Sequence, residues 1–350
     1  MQKGLVSIVI PVYQHGKCVK HTIEAVLAQT YRPIEIIIVN DGSQDETDQI
    51  CKEYALQYPE IRYMHMTHSG ASAARNMGIS VARGQYIQFI DADDYPCKTL
   101  TEKLVDTISV ANAQMAVCSY EAREKYNRIR REYFSDVEAL AKKNNTTPVY
   151  EIILSNMLSV TWNKLYITSE IKHIYDESLS MCEDSIFCIR YFLEHPNIAV
   201  CSDVLYTYNN FEKKKVSKER ILSYNAFLKY YSYNQKLVDM IESVQLQKKA
   251  ESFIRKVFYY GVYTYIFEGT SNADLPIKQR IAIIKNILKD SAFREVICDI
   301  DAEGMKEKTY HFLSKIQSAT CIYLVVCCRE KILDCKSLLK KEGQYAEGKK

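Results

Sequence analysis

Long apolar runs, paired metal-ligand cysteines, phosphate-cradling glycine loops and an excess of charge of one sign are all missing from this 350-residue sequence. Each absence removes a class of protein. The longest late apolar run, Cys321 to Cys328, is far short of the roughly 20 residues a spanning helix needs. The first residues carry one Lys and a short apolar run broken by Ser7 and Pro11. No small-residue cleavage site follows, so they do not read as a secretory leader. A net charge of only +3, with acids and bases interleaved, lacks the clustered basic footprint of a nucleic-acid binder. No CxxC pair exists among the 12 Cys, which argues against a zinc ribbon. We read them as reduced, small apolar residues of a cytoplasmic protein. No Gly-x-Gly-x-x-Gly follows the first apolar stretch and no Gly-x4-Gly-Lys-Ser/Thr occurs, so neither a dinucleotide-dependent oxidoreductase nor a P-loop NTPase is supported. The seven His show no His-Glu-x-x-His spacing, and His65 and His68 straddle a strand end as incidental residues. Asp41 to Glu46 has its Gly and terminal Glu misplaced for an EF-hand.

What remains is a regular alternation of strands and helices. Val6–Val12, Ile34–Val39, Ile61–Met66, Tyr86–Ile90 and Met115–Ser119 read as strands. The second is a nearly continuous β-branched run, as expected of a strand buried on both faces of a parallel sheet. Helical patterns lie between them near Lys17–Ala28, Ala71–Ala82 and Leu100–Ala111, and Ser43 with Glu46 matches a capping box opening another. This order predicts an α/β fold, a Rossmann-like, mostly parallel sheet with helices on both faces. Residues 121–148 turn polar and basic, an excursion from the sheet. Cys182–Leu193 is helical again. After about residue 217 helical periodicity dominates, with Phe253, Val257, Tyr260, Tyr263 and Phe267 on one face, then Ile277, Ile281, Ile284 and Leu288. Two domains are expected, 1–217 and 218–350. The 27 Tyr outnumber the 11 Phe, favouring packing that leaves hydroxyls wet.

In open α/β sheets ligands bind beyond the carboxyl ends of the strands. Three informative stretches fall there: Pro11-Val12-Tyr13, Asn40-Asp41-Gly42-Ser43 and Asp91-Ala92-Asp93-Asp94. Acids gathered at one sheet edge are costly without positive charge, and a divalent cation is the simplest source. Mg²⁺ or Mn²⁺ is usually held by one or two carboxylates plus substrate phosphates, so Asp-x-Asp suffices if the substrate is a nucleotide diphosphate. Glu183-Asp184 opens an apolar helical run. The helix macrodipole favours acids there, whether they are structural or kept ionised to accept a proton. Asp41 and Ser43 also suit a turn and an N-cap, Arg75 could decorate a helix, and Trp162, the one Trp, suits either the core or a stacking surface for a sugar. Lys164 reads as structural.

Val6-Ser7-Ile8-Val9-Ile10-Pro11-Val12-Tyr13, Val39-Asn40-Asp41-Gly42-Ser43, Ala73-Ala74-Arg75-Asn76-x-Gly78 and Asp91-Ala92-Asp93-Asp94, continued by Trp162-Asn163-Lys164-Leu165-Tyr166 and Glu183-Asp184-x-x-Phe187, together resemble the inverting family 2 glycosyltransferases of GT-A fold. The resemblance covers roughly residues 5–215. It implies transfer of a sugar from a UDP-sugar to an acceptor hydroxyl, glycan or lipid-linked, with a divalent metal, Mn²⁺ or Mg²⁺, in cell-surface polysaccharide synthesis. Residue by residue it implies that Pro11, Val12 and Tyr13 border the base, that Asp41 accepts from the uracil imide, and that Arg75 lies near the base. Asp91 would bond the ribose and Asp93 the metal; Asp184 would be the catalytic base with Glu183 beside it. Trp162 would face the acceptor. Many relatives have an Arg soon after the Tyr-x-Tyr that occurs here as Tyr206-Thr207-Tyr208; this chain has Asn209 and Asn210, with Lys213, Lys214 and Lys215 close by. A non-catalytic sugar-nucleotide or glycan-binding module on the same fold is the competing reading. Val325, Cys328, Ile332, Cys335 and Leu339 form one apolar stripe among basic residues, which suits peripheral membrane contact through 320–350 or docking onto the protein's own helices.

Overall fold

The structure, a computed structural model, describes residues 1–124, 128–179, 181–209, 224–266, 276–299 and 319–323. The chain divides into two compact units, one of Met1–Lys213 with Ser232–Ala250 and the other of Lys214–Tyr231 with Glu251–Lys350. The lysines 213–215, most of the 320–350 stripe and Phe267 lie outside the described residues.

The first unit is built on a mixed sheet. Strands β1 (Gln2–Val12), β2 (Ile34–Asn40), β3 (Ile61–His65) and β4 (Gly84–Phe89) pair in parallel in the order β3-β2-β1-β4. Every residue of β2 is buried, as its unbroken apolar run requires of a strand covered on both faces. Helices α1 (Val19–Leu27), α2 (Thr47–Gln57), α3 (Ala71–Val81) and α4 (Leu100–Val110) connect or flank these strands. Side chains alternate across the sheet. Val6, Ile8, Ile10 and Val12 therefore enter one core with Val19, Ile23 and Val26 of α1 and Leu100, Leu104 and Ile108 of α4. Val9 points the other way, against α3. There a Cβ on Gly78 would lie 2.3 Å from Val9 Cγ1, so the glycine is what lets helix and strand approach.

Beyond β4 the sheet stops being parallel. The short β5 (Tyr95–Pro96) lies at its far edge. Strand β6 (Met115–Glu124) does not sit beside β4; the antiparallel β8 (Lys164–Ile167) is inserted between them. The polar excursion supplies β7 (Arg128–Glu132), which pairs with β6, and two helices, α5 (Val137–Asn144) and α6 (Pro148–Leu154). Then come α7 (Glu183–Glu194) and β9 (Ile198–Asn209), the latter parallel to β6 and antiparallel to β5.

The capping box does not form. Helix α2 starts at Thr47, with Glu46 in helical backbone and making no side-chain cap. Asp45 takes the place of the cap, accepting from the Thr47 N–H, while Ser43 Oγ accepts from the backbone N–H of Gln14 and so ties this loop to the end of β1.

The second unit is helical in its described part. It contains portions of α8 (Tyr224–Asp239) and α9 (Val244–Thr264), then α10 (Ile277–Lys289) and α11 (Ser291–Asp299). Tyr231 stacks on Phe258, Phe227 packs against Tyr265, and Tyr259 lies parallel to Phe293. Tyr259 and Tyr265 are only 2% and 6% exposed, so these phenols serve as core and not as wetted packing. No helix among the described residues is long and apolar enough to cross a membrane.

Candidate active site

The carboxyl ends of β1, β2 and β4 and the start of α7 carry the candidate residues. At the base end, the Asp41 N–H donates to Val12 O as the last rung between β1 and β2. The Asp41 carboxylate then turns toward the loop entering α3. It accepts from the backbone N–H groups of Ser69 at 2.7 Å and Gly70 at 2.9 Å and pairs with His68 Nδ1 at 2.8 Å. Asp41 thus caps the positive end of α3 and is 2% exposed. With three of about four acceptor positions used, one remains for a ligand. The next residue must be glycine: Gly42 has φ +73°, and a Cβ there would lie 2.8 Å from the His68 backbone N. His68, read as incidental from the sequence, stacks its ring on Tyr13 with centroids 4.0 Å apart. Its position just past β3, at the same sheet edge as the other motifs, was the available signal. Pro11 and Val12 lie in β1 directly before Tyr13, with Val12 buried.

Asp91-Ala92-Asp93-Asp94 follows β4. Thr22 Oγ1 is placed to donate to the carbonyls of Ala92 and Asp94. Asp94 is completely buried; it accepts from Tyr206 O–H at 2.8 Å and from the Asn209 N–H at 2.8 Å. The Tyr206 hydroxyl oxygen also accepts from the Asp91 N–H. Burial, then the carboxylates of Asp91 and Asp93, push the Asp94 carboxyl well above its usual range. Asp94 is therefore the fastener of the loop, and Asp91 and Asp93 are left partly exposed on it. The backbone of Asn209 serves as part of this fastening.

Arg75 lies between two carboxylates. On α3 and only 4% exposed, it donates through Nη2 to Asp91 Oδ1 at 3.0 Å, and its Nη1 lies 3.1 Å from Asp184 Oδ1. One guanidinium so joins the carboxylate after β4 to the carboxylate at the start of α7. The next residue, Asn76, closes the same face: its side chain bonds both the N–H and the carbonyl of Tyr175, and the Tyr175 ring lies 5.4 Å from the guanidinium. Burial drives the Asp184 carboxyl up to about 7; Arg75 opposes this, and Glu183 and Asp91 add to it. Buried polar atoms without an aligned hydrogen bond gather here, Ser72 Oγ, Arg75 Nε and Nη1 and Asp184 Oδ1 among them, and the last two face each other as an ion pair.

Trp162 is corrected outright. It is 3% exposed, stacked on Tyr206 at 4.4 Å and Tyr208 at 5.5 Å and edge-on to Tyr120. A buried ring in an aromatic cluster offers no face to an acceptor sugar. Lys164 is fully buried and donates to Val160 O and Asn163 Oδ1, a structural role for the loop behind Asp184. Among the described residues no three or more His, Cys, Asp or Glu side chains come together as a metal cage. Asp91 and Asp93 fit instead the sparse hard-oxygen set of a cation shared with phosphates.

These features define a mixed α/β fold with an acidic cleft at the strand ends, the architecture of GT-A nucleotide-sugar enzymes. Residues 7–172 match the family described as Glycosyl transferase family 2. The chain is 32% identical over 211 residues to EpsJ of Bacillus subtilis (strain 168), named as an uncharacterised glycosyltransferase. That alignment takes in 58% of this chain and 60% of EpsJ. Over 93% of this chain the fold is similar to S. aureus TarS 1-349, solved in complex with UDP, with a TM-score of 0.62, 17% identity and 91% of TarS 1-349 covered. The mannosyltransferase PcManGT of Pyrobaculum calidifontis, solved with GDP-Man and Mn²⁺, has a TM-score of 0.52 at 12% identity, covering 90% of this chain and 87% of that one.

Proposed function

We propose that the protein transfers a sugar from a UDP-sugar to an acceptor hydroxyl with inversion, in cell-surface glycan synthesis. The observation carrying this reading is that one buried guanidinium, Arg75, brings together the partly exposed carboxylates of Asp91 and Asp184. A donor carboxylate and a proton acceptor are thereby adjacent, as a single displacement requires. Tyr13 and His68 supply a stacking surface for the base, and the remaining acceptor position of Asp41 suits the uracil imide N–H. Asp91 is placed for the ribose. Asp93, with Asp91, would hold Mn²⁺ or Mg²⁺, which when bound neutralises charge on the departing diphosphate. Asp184 takes the proton of the incoming hydroxyl on its carboxylate. A carboxyl near 7 is a stronger base than an ordinary Asp and is still substantially ionised at neutral pH. TarS with UDP supports a uridine nucleotide and PcManGT supports Mn²⁺.

A panel of UDP-sugars and GDP-sugars, assayed for nucleoside diphosphate release with and without Mn²⁺, tests the reading. Metal-dependent release of UDP from at least one donor is expected. Release confined to GDP-sugars would contradict the nucleotide assignment. Donor binding with no release in the presence of varied glycan acceptors would favour a binding module.

A further inference from the structure

We infer that Arg75 is a positioning residue that couples the donor subsite to the proton acceptor, holding Asp91 and Asp184 with one guanidinium. This rests on the function proposed above and deepens it.

The geometry is specific. Asp91 belongs to the loop after β4 and Asp184 to α7; no backbone pairing joins these two elements. Arg75 reaches both, through different terminal nitrogens, at 3.0 and 3.1 Å. The first contact is a hydrogen bond. The second is an ion pair lacking hydrogen-bond alignment, since Nη1 and Oδ1 are both unsatisfied. Asp184 is thus held by charge through its buried Oδ1, while the side chain keeps 19% of its surface exposed for an acceptor hydroxyl. A planar fork can serve two carboxylates at once; the point charge of a lysine cannot.

Arg75 is also the cation that offsets the burial of Asp184. The acids around Asp184 are Glu183 on its own helix and Asp91 across the cleft, and both disfavour its ionisation. Tyr175, Tyr166, Cys182 and Cys188 also neighbour it and have their own ionisation suppressed by burial. Lys164 of β8 is the other cation nearby, but its ammonium is committed to Val160 O and Asn163 Oδ1. Removing the Arg75 charge therefore leaves Asp184 buried among acids. Its carboxyl should then hold a proton to higher pH, so that the acid limb of kcat moves upward.

The test compares Arg75→Gln and Arg75→Lys with the wild type, measuring kcat and donor KM from about pH 5 to about pH 9. In Arg75→Gln the acid limb should rise by about one pH unit or more, lowering kcat at neutral pH about fivefold for the first unit and about tenfold for each further one, and recovering at alkaline pH. Donor KM should rise as well, because Asp91 loses its partner. Arg75→Lys, keeping one charge for two carboxylates, should fall between. A uniform loss at every pH with the limb unmoved would show a merely structural role and overturn the proposal, as would wild-type behaviour. If a variant is too slow to assay, the carboxyl ¹³C resonance of Asp184 in Asp-labelled protein, assigned with Asp184→Asn, gives the same titration midpoint. An unchanged midpoint would overturn the proposal. Should the wild type release UDP from no donor, the functional reading fails, and this midpoint still decides whether Arg75 governs Asp184.

Discussion

Asp93→Asn removes the proposed metal ligand from a loop that Asp94 fastens. Asp94 keeps its bonds to Tyr206 and Asn209, so the variant should melt within a few degrees of the wild type. The enhancement of UDP binding by Mn²⁺, read by calorimetric titration, should disappear; equal affinity of both proteins in Mn²⁺ would rule Asp93 out as the metal ligand. At neighbouring positions the outcomes of sequence reading diverge for physical reasons. Asp91, Asp93, Asp184 and Glu183 stood out in the sequence as acids at a strand end and a helix start, and their proposed roles rest on the motifs around them. Arg75 was legible as a motif residue but not in its partner: only the folded chain shows that α3 carries it to α7. Trp162 was misread because an indole suits a core and a sugar-stacking surface equally well, and burial is not written in residue type. His68 was passed over because a lone His carries no spacing.

At the scale of elements, two devices hold the sheet that presents the site. Gly78 lets α3, and with it Arg75, lie against β1. Gly78→Ala would drive a Cβ to 2.3 Å from Val9 Cγ1, an overpacking expected to cost about 1–3 kcal/mol; urea unfolding should show a lower midpoint and unchanged slope. At the opposite end of the strands, buried Glu35 of β2 accepts from Ser7 Oγ, from the Arg83 N–H and from Arg83 Nε, with Arg62 nearby. Burial alone would raise the Glu35 pKa; the hydrogen bonds of Ser7 and Arg83 outweigh it and hold the carboxyl below its ordinary value. A carboxylate with a depressed folded pKa stabilises above its unfolded value, near 4.3, and loses that contribution as pH falls through the folded one. Glu35→Gln should therefore be less stable at neutral pH by about 1–3 kcal/mol, and unfolding experiments should find the gap narrowing as pH drops below about 4. A constant gap across that range would mean the charge contributes nothing. The strands themselves were legible from β-branched runs. The insertion of β8 between β4 and β6 was not, because a four-residue strand carries too little pattern to set its neighbours. The expected capping box failed because Ser43 is used by Gln14, a contact visible only once β1 and its loop are placed.

On the scale of the whole molecule, the alternation of strands and helices over the first part of the chain was enough to reach an α/β sheet with helices on both faces. The motif order then pointed to a nucleotide-sugar cleft. The change to helical periodicity near residue 217 was also readable, although the compact units take residues 232–250 back into the first, an exchange that periodicity cannot encode. Donor and acceptor identity were not readable, since the polar excursion after β6 carries no residue code for a sugar. In the proposed function Asp184 stands beside the donor-side carboxylate Asp91, joined to it through Arg75. Steady-state transfer by Asp184→Asn, compared with Glu183→Gln and with UDP affinity measured on both, tests that placement most directly. Asp184→Asn should lower kcat by roughly 10²- to 10⁴-fold while UDP affinity stays within about threefold of the wild type. Near wild-type kcat in Asp184→Asn, or a collapse in Glu183→Gln alone, would contradict the assignment of the base.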